Sequence, residues 1–222
     1  MELLLDAESQ IETWQEVILV YNAALKQINT KLEILNDEFQ HVHQYNPIEH
    51  IKSRLKTADS IVKKLKKDGC EVTIDNMMNH LSDIAGIRII CSFTSDIYQI
   101  AEMIAAQGDV TVIHVKDYIK NPKPNGYRSL HVIIAVPVYY LDTMEYFPVE
   151  IQLRTMTMDL WASMEHRVCY KKLPEHRDEL AEAFCQYADI LGKIEEQFEA
   201  YNETGMLEEI TPAQIAENPS EG

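Results

Sequence analysis

The sequence predicts a mixed α/β fold, a sheet with helices packed on it and a helical arm at each end. Three observations carry this expectation. β-Branched runs bounded by turn residues alternate along the chain with stretches of helical period, so strands and helices interleave. The 222 residues are 46% hydrophobic, enough for a full core in one domain with helical extensions. No run of about 18 apolar residues occurs, so no membrane span is expected.

The elements follow in order. From about residue 8 to 43, Trp14, Val17, Ile18, Tyr21, Leu25, Ile28, Leu32 and Leu35 recur at three- and four-residue steps, which predicts a long helix. Asn46-Pro47-Ile48-Glu49 reads as a helix start, with Asn as N-cap, Pro first and Glu third. That second helix is expected to run to about Lys67 and stop at Gly69. A short helix is expected over 75–81. Ile87 to Phe93 reads as a buried strand, Asp96 to Gln107 as a helix, and Val110 to Val115 as a strand. Asp117 to Gly126 reads as a loop, with Pro122, Pro124 and Gly126 as breakers. Ser129 to Val138 and Glu145 to Arg154 are two strands that can pair around Leu141-Asp142-Thr143. Thr157 to Tyr170 is helical, Leu173-Pro174 breaks it, and Glu175 to about Tyr201 is the last helix. The final twenty or so residues, with Thr211-Pro212 and Pro219-Ser220-Glu221-Gly222, are expected to be disordered.

Composition narrows the function. The formal net charge is −16, which opposes broad nucleic-acid binding, because that depends on phosphate neutralisation by Lys and Arg. Lys52, Arg54, Lys56, Lys63, Lys64, Lys66 and Lys67 place seven of the twenty basic residues in one stretch. A basic patch on an acidic chain points to a small anionic ligand. The four cysteines are scattered without a C-x-x-C pair and read as reduced thiols, and Glu2, Asp6 and Glu8 stand where a signal peptide would be basic. A cytoplasmic location is expected.

The candidate site comes from strand alternation. Glu150, Gln152 and Arg154 project together while Val149, Ile151 and Leu153 face the core. On a continuous helix, Lys56, Ser60, Lys63 and Lys67 share one stripe with Lys64 at its edge, opposite Leu55, Ala58, Ile61, Val62 and Leu65. Arg54 then falls on the apolar side, so either the helix begins or bends there or the guanidinium lines a pocket. Arg88 lies inside an apolar strand and needs a partner, which Asp83 or a bound anion would supply. Asp83 and Glu150, from separate strands, form a pair suited to Mg²⁺, a hard ion that takes a few carboxylates plus substrate phosphates. Lys123-Pro124-Asn125-Gly126-Tyr127 sets an exposed aromatic beside a cation, and Tyr127 can stack on a base. His131 enters a strand and reads as a hydrogen-bonding residue. Trp161 is expected in the core, and Asp159 offers a carboxylate able to accept from two adjacent guanine N–H groups.

In this order and at these separations, five segments resemble the synthetase domain of the RelA/SpoT alarmone enzymes, in the compact form called small alarmone synthetases. They are Arg54-Leu55-Lys56 with Ser60 and Lys63-Lys64; Asp83-Ile84-Ala85-Gly86-Ile87-Arg88; Asn125-Gly126-Tyr127-Arg128-Ser129-Leu130-His131; Glu150-Ile151-Gln152-Leu153-Arg154-Thr155; and Trp161-Ala162 with Glu165-His166. The resemblance covers roughly residues 45 to 172. Asn46-Pro47-Ile48-Glu49-His50 and Gly86 to Phe93 look most like the RelP branch rather than RelQ.

The resemblance implies a nucleotidyltransferase-like domain, over 45–172, that transfers pyrophosphate from ATP to the ribose 3′-OH of GDP or GTP and yields AMP with ppGpp or pppGpp. An N-terminal helical arm (1–44), a C-terminal helix (173–202) and a tail (203–222) complete the expected organisation. Carried over by motif, Asp83 and Glu150 hold Mg²⁺, and Glu150 also takes the 3′-OH proton. Arg54 and Arg88 sandwich the adenine, while Lys56, Ser60 and Lys63 or Lys64 grip the ATP phosphates. Tyr127 stacks on guanine, with Lys123, Asn125, His131, Gln152 and Asp159 around the acceptor. Small synthetases are typically homotetramers, and the arms are expected to pack between subunits. No His-Asp dipeptide occurs and only about 45 residues precede the synthetase segment, so no alarmone hydrolysis is expected. Two rival readings keep the sequence features. One is the same fold acting on tRNA or adenine nucleotides, against which the −16 charge weighs. The other is a non-enzymatic RNA- or nucleotide-binding regulator, against which the two carboxylates weigh.

Overall fold

The computed structural model describes residues 13–43, 45–169 and 177–204. Their elements are α1 (Trp14–His43), β1 (Ile48–Leu55), α2 (Ala58–Lys67), α3 (Ile74–His80), β2 (Ala85–Cys91), α4 (Thr94–Ala105), β3 (Thr111–Asp117), β4 (Leu130–Tyr140), β5 (Thr143–Thr155), α5 (Met156–Cys169) and α6 (Arg177–Thr204). The fold is mixed α/β, as expected. The start of the first helix before residue 13, the Leu173-Pro174 break and the tail beyond 204 lie outside the described residues.

The five strands form one sheet in the order β1-β2-β5-β4-β3. β1–β2, β3–β4 and β4–β5 are antiparallel. β4 and β5 make the expected hairpin, with Tyr140 opposite Thr143, so the turn holds two residues. Its first residue, Leu141, has φ 52°, a left-handed conformation that costs a non-glycine residue about 1–2 kcal/mol.

The second helix departs from expectation. Residues 48–55 are a strand, and the helix begins at Ala58, capped by Thr57, whose hydroxyl accepts from the Ser60 N–H. Asn46 does act as a local cap, but its side chain accepts from the Ile48 N–H at the mouth of a strand. Ile48, Ile51 and Leu55 happen to recur at helical steps, so pattern and cap agreed on the wrong element. Pairing with β2 along the whole segment overrides both. The shared helical stripe of Lys56 with Ser60, Lys63 and Lys67 therefore does not exist, because Lys56 precedes the helix. Arg54 lies exposed on β1, where an arginine carries no burial penalty.

The chain divides into two compact units, one of residues up to 117 with 129–154, the other of 118–128 with residues from 155 onward. In the first, α1 packs on the sheet. Tyr21 meets Phe147 edge to face at 5.4 Å, and Asn29 Oδ1 accepts from the Ser53 hydroxyl. Val17, Val20, Tyr21, Ala24, Ile28 and Leu32 are buried there, so the N-terminal arm covers its own sheet. The apolar stripe that suggested packing between subunits is consumed within the chain. Because side chains alternate, the face toward α1 carries Ser53, Phe147, Val149, Ile151 and Leu153. The opposite face carries Lys52, Arg54, Arg88, His131, Glu150, Gln152 and Arg154, with Lys52 opposite Arg88, Arg54 opposite Gly86 and His131 opposite Gln152. In the second unit, Trp161, Phe184 and Ala188 form a small buried core, with Tyr127, Ala162 and Leu191 packed against it.

Candidate active site

The polar face of the first unit is interlocked. Gln152 Nε2 donates to Glu150 Oε2 at 2.9 Å, and Arg154 Nη2 donates to Gln152 Oε1 at 3.2 Å. His131, across the ladder on β4, places Nδ1 3.1 Å from Glu150 Oε1. With the proton on Nδ1, the ring donates to the carboxylate and fixes its orientation. The predicted trio on one strand face is thus a hydrogen-bonded row, and Arg154, only 5% exposed, is its buried end.

Asp83 sits just before β2, beside the end of β1, where the Lys56 N–H donates to the Ile84 carbonyl at 2.8 Å. Its carboxylate is gripped twice, by Lys56 Nζ at 2.5 Å and by Lys64 Nζ at 2.9 Å. Lys56 arrives from the strand end and Lys64 from α2, so two elements converge on one acid. Arg88 is half-buried on β2, one strand from Arg54 on the same sheet face. Ser60 and Lys63 are exposed on α2. Ser60 shares a 2.8 Å hydroxyl contact with Thr57.

Both acids are charged at neutral pH for identifiable reasons. Burial pushes the Asp83 carboxyl up, but the hydrogen bonds and charges of Lys56 and Lys64 outweigh it, and its pKa lies below the ordinary value. Burial also pushes Glu150 up. The hydrogen bond and positive charge of His131 pull it down, Gln152 adds to that, and the charge on Asp83 opposes; the result is again a lowered pKa. That Asp83 acts on Glu150 electrostatically marks them as neighbouring acids.

The remaining predicted residues lie in the second unit. Lys123 to Gly126 is a tight turn closed by the Gly126 N–H on the Lys123 carbonyl at 2.8 Å, with Pro124 and Asn125 at its centre. Asn125 Oδ1 accepts from the Tyr127 N–H at 3.2 Å. Lys123 Nζ stands 4.8 Å from the Tyr127 ring centroid and 4.7 Å from that of Tyr118. The cation beside the aromatic is as expected, but Tyr127 is half-buried rather than exposed, its ring 6.3 Å from Trp161. Trp161 is in the core as predicted, and Asp159 is half-buried on α5.

Sequence reasoning misses the double lysine grip on Asp83, because a helix over residues 48–55 puts Lys56 and Lys64 on one element, whereas they reach Asp83 from a strand end and from α2. It also misses the packing of the α6 residues Phe184 and Ala188 against Tyr127, since they carry no chemical motif.

Fold and polar face together define an α/β domain with an acidic centre ringed by cations. The chain belongs to the RelA/SpoT family: residues 53–175 match the family's "region found in RelA / SpoT proteins". It is 45% identical to the GTP pyrophosphokinase YwaC of Bacillus subtilis over 192 residues, 86% of this chain and 91% of that one. The crystal structure of small alarmone synthetase 2 from Bacillus subtilis superposes with a TM-score of 0.76 at 42% identity, covering 86% of this chain and 99% of that one. Small alarmone synthetase 1 from the same organism, bound to its product pppGpp, superposes with a TM-score of 0.77 at 28% identity, covering 86% and 97%.

Proposed function

We propose that this chain transfers the β,γ-pyrophosphate of ATP to the 3′-oxygen of GDP or GTP, producing ppGpp or pppGpp and AMP. The observation that carries the reading is the pair Asp83 and Glu150, each held charged by its own set of donors on one polar region of the family's domain. In the step, the bond between the α-phosphorus side and the β-phosphorus of ATP breaks, the 3′-oxygen bonds to the β-phosphorus, and the electron pair leaves with AMP. Glu150 accepts the 3′-OH proton, oriented for this by His131 and Gln152. Lys56 and Lys64, with Ser60 and Lys63 nearby on α2, supply cations and donors to the triphosphate, and Arg54 and Arg88 share a face on which an adenine can lie between guanidinium planes. Tyr127 offers guanine a ring, with Lys123, Asn125 and Asp159 as polar partners from the same unit.

The donor set suits Mg²⁺. Asp83 and Glu150 provide two hard, charged oxygen groups, and no group of three or more His, Cys, Asp or Glu gathers among the described residues, so substrate phosphate oxygens are needed to complete the shell. Bound there, the ion would neutralise phosphate charge and help align the triphosphate.

We further propose a homotetramer in the cytoplasm. Met156, Leu160 and Met164, exposed at four-residue steps along α5, support assembly, and light scattering at four times 25.6 kDa would agree with it. No helix of the described residues is long and apolar enough to cross a membrane.

The test is to incubate the chain with γ-labelled ATP, Mg²⁺ and, separately, GDP, GTP or tRNA, and to resolve the products by thin-layer chromatography. Label on GDP or GTP with release of AMP is the expected result. Label on tRNA, or none at all from folded protein, would overturn the reading. Labelled pppGpp incubated with Mn²⁺ is expected to survive intact.

A further inference from the structure

Helix α6 lies beyond the 53–175 region that matches the family, yet it touches the turn that carries Lys123, Asn125 and Tyr127 at two side-chain-free points. The first is Gly126, at φ 88°. A Cβ there would lie 2.8 Å from Ala188 Cβ and 3.1 Å from Cys185 Cα, so the turn rests directly on the helix. The second is Gly192, where a Cβ would fall on Arg128 Nη1. Arg128 therefore lies across α6 where the helix has no side chain, and its Nη2 donates to Asp189 Oδ1 at 3.1 Å. Ala188, Asp189 and Gly192 share one face of α6. A glycine inside a helix weakens it, and the guanidinium is the reason for one here. Behind the turn, the Tyr127 ring meets Trp161, whose indole N–H donates to the Phe184 carbonyl of α6 at 2.6 Å.

We propose that Asp189 and Gly192 of α6 are positioning residues for the acceptor nucleotide: they seat Arg128, and Arg128 fixes the turn that presents Tyr127. The proposal rests on the reading of Tyr127 as the guanine platform. A ring that is already held gives up little freedom when a base stacks on it, whereas a loose one must be ordered at the expense of affinity. The effect should fall on the acceptor and spare ATP.

The test is steady-state kinetics of the full chain with each substrate varied in turn. Asp189→Ala and Gly192→Ala are expected to raise KM for GTP about tenfold, as a loosened binding loop does, with KM for ATP and kcat changed less than about twofold. Asp189→Glu should restore most of the loss. The double variant Gly192→Ala/Arg128→Ala should be no worse than Arg128→Ala alone, because the glycine serves only the arginine. Should Gly192→Ala fail to fold, Asp189→Ala decides alone, since the Asp189 side chain is 61% exposed. Unchanged KM for GTP, or equal losses for ATP and GTP, in a parent that makes pppGpp would overturn this proposal only. A parent that transfers nothing to guanine nucleotides would overturn the functional reading and this proposal with it.

Discussion

Glu150 and Asp83 divide the labour by their partners. Glu150 is tied to His131 and Gln152, which orient it, whereas Asp83 is tied to two lysines. Glu150→Gln keeps the shape of the row but removes the proposed base, and kcat is expected to fall at least about 10²-fold with folding intact; full activity in that variant would end the proposed mechanism. A carboxyl whose folded-state pKa lies below its unfolded value adds stability above that unfolded value and loses it as the pH falls through the folded one. Asp83 and Glu150 are both depressed, so their share of stability is present at neutral pH and drains away below about pH 4. In Lys64→Met the depression of Asp83 shrinks. Melting temperatures from pH 7 to pH 3 should then start lower and fall less than in the parent; parallel curves would show that the Lys64 pair carries no linkage.

Among the elements, β2, β4, β5, α4 and α5 were legible because their burial pattern matches their period. β1 was not, because an edge strand with few buried residues carries almost no alternation to read. The polar row on β5 was legible from alternation alone. The aromatic series Tyr118, Tyr127, Trp161, Phe184 and Tyr187 was not, since its members come from a loop and two helices and meet only in three dimensions. In α1, the heptad-like stripe was visible but its destination was not. There the buried Tyr21 hydroxyl finds no acceptor among the described residues, and burial pushes its pKa up. Tyr21→Phe keeps the edge contact with Phe147 and removes an unpaired polar group. It is expected to stabilise the chain by about 1 kcal/mol, roughly 2–4 °C in thermal unfolding. A loss of stability would mean the hydroxyl has a partner.

For the whole molecule, charge is distributed against its sum. The net charge is −16, yet one sheet face and its neighbouring helix gather Lys52, Arg54, Lys56, Lys64 and Arg88. Such an arrangement admits a nucleotide and repels a polyanion that must lie along the surface. KM for ATP should rise several-fold between about 0.05 and 0.5 M KCl, as the Debye length shortens through the dimensions of a small ligand site. Insensitivity to salt would place ATP elsewhere.

The two rims of the sheet share one more property. β1 and β3 each carry an irregularity in pairing, between Ile48 and His50 and between Val112 and His114, while the register of the inner β4–β5 pair runs without interruption. β3 exposes Val112, Ile113 and Val115, the composition of a strand prone to recruit another chain. The bulge twists that rim away from the flat geometry a growing fibril needs, and Lys116 adds charge to it. A cell that makes this chain in quantity is thereby guarded against stacking its sheets edge to edge.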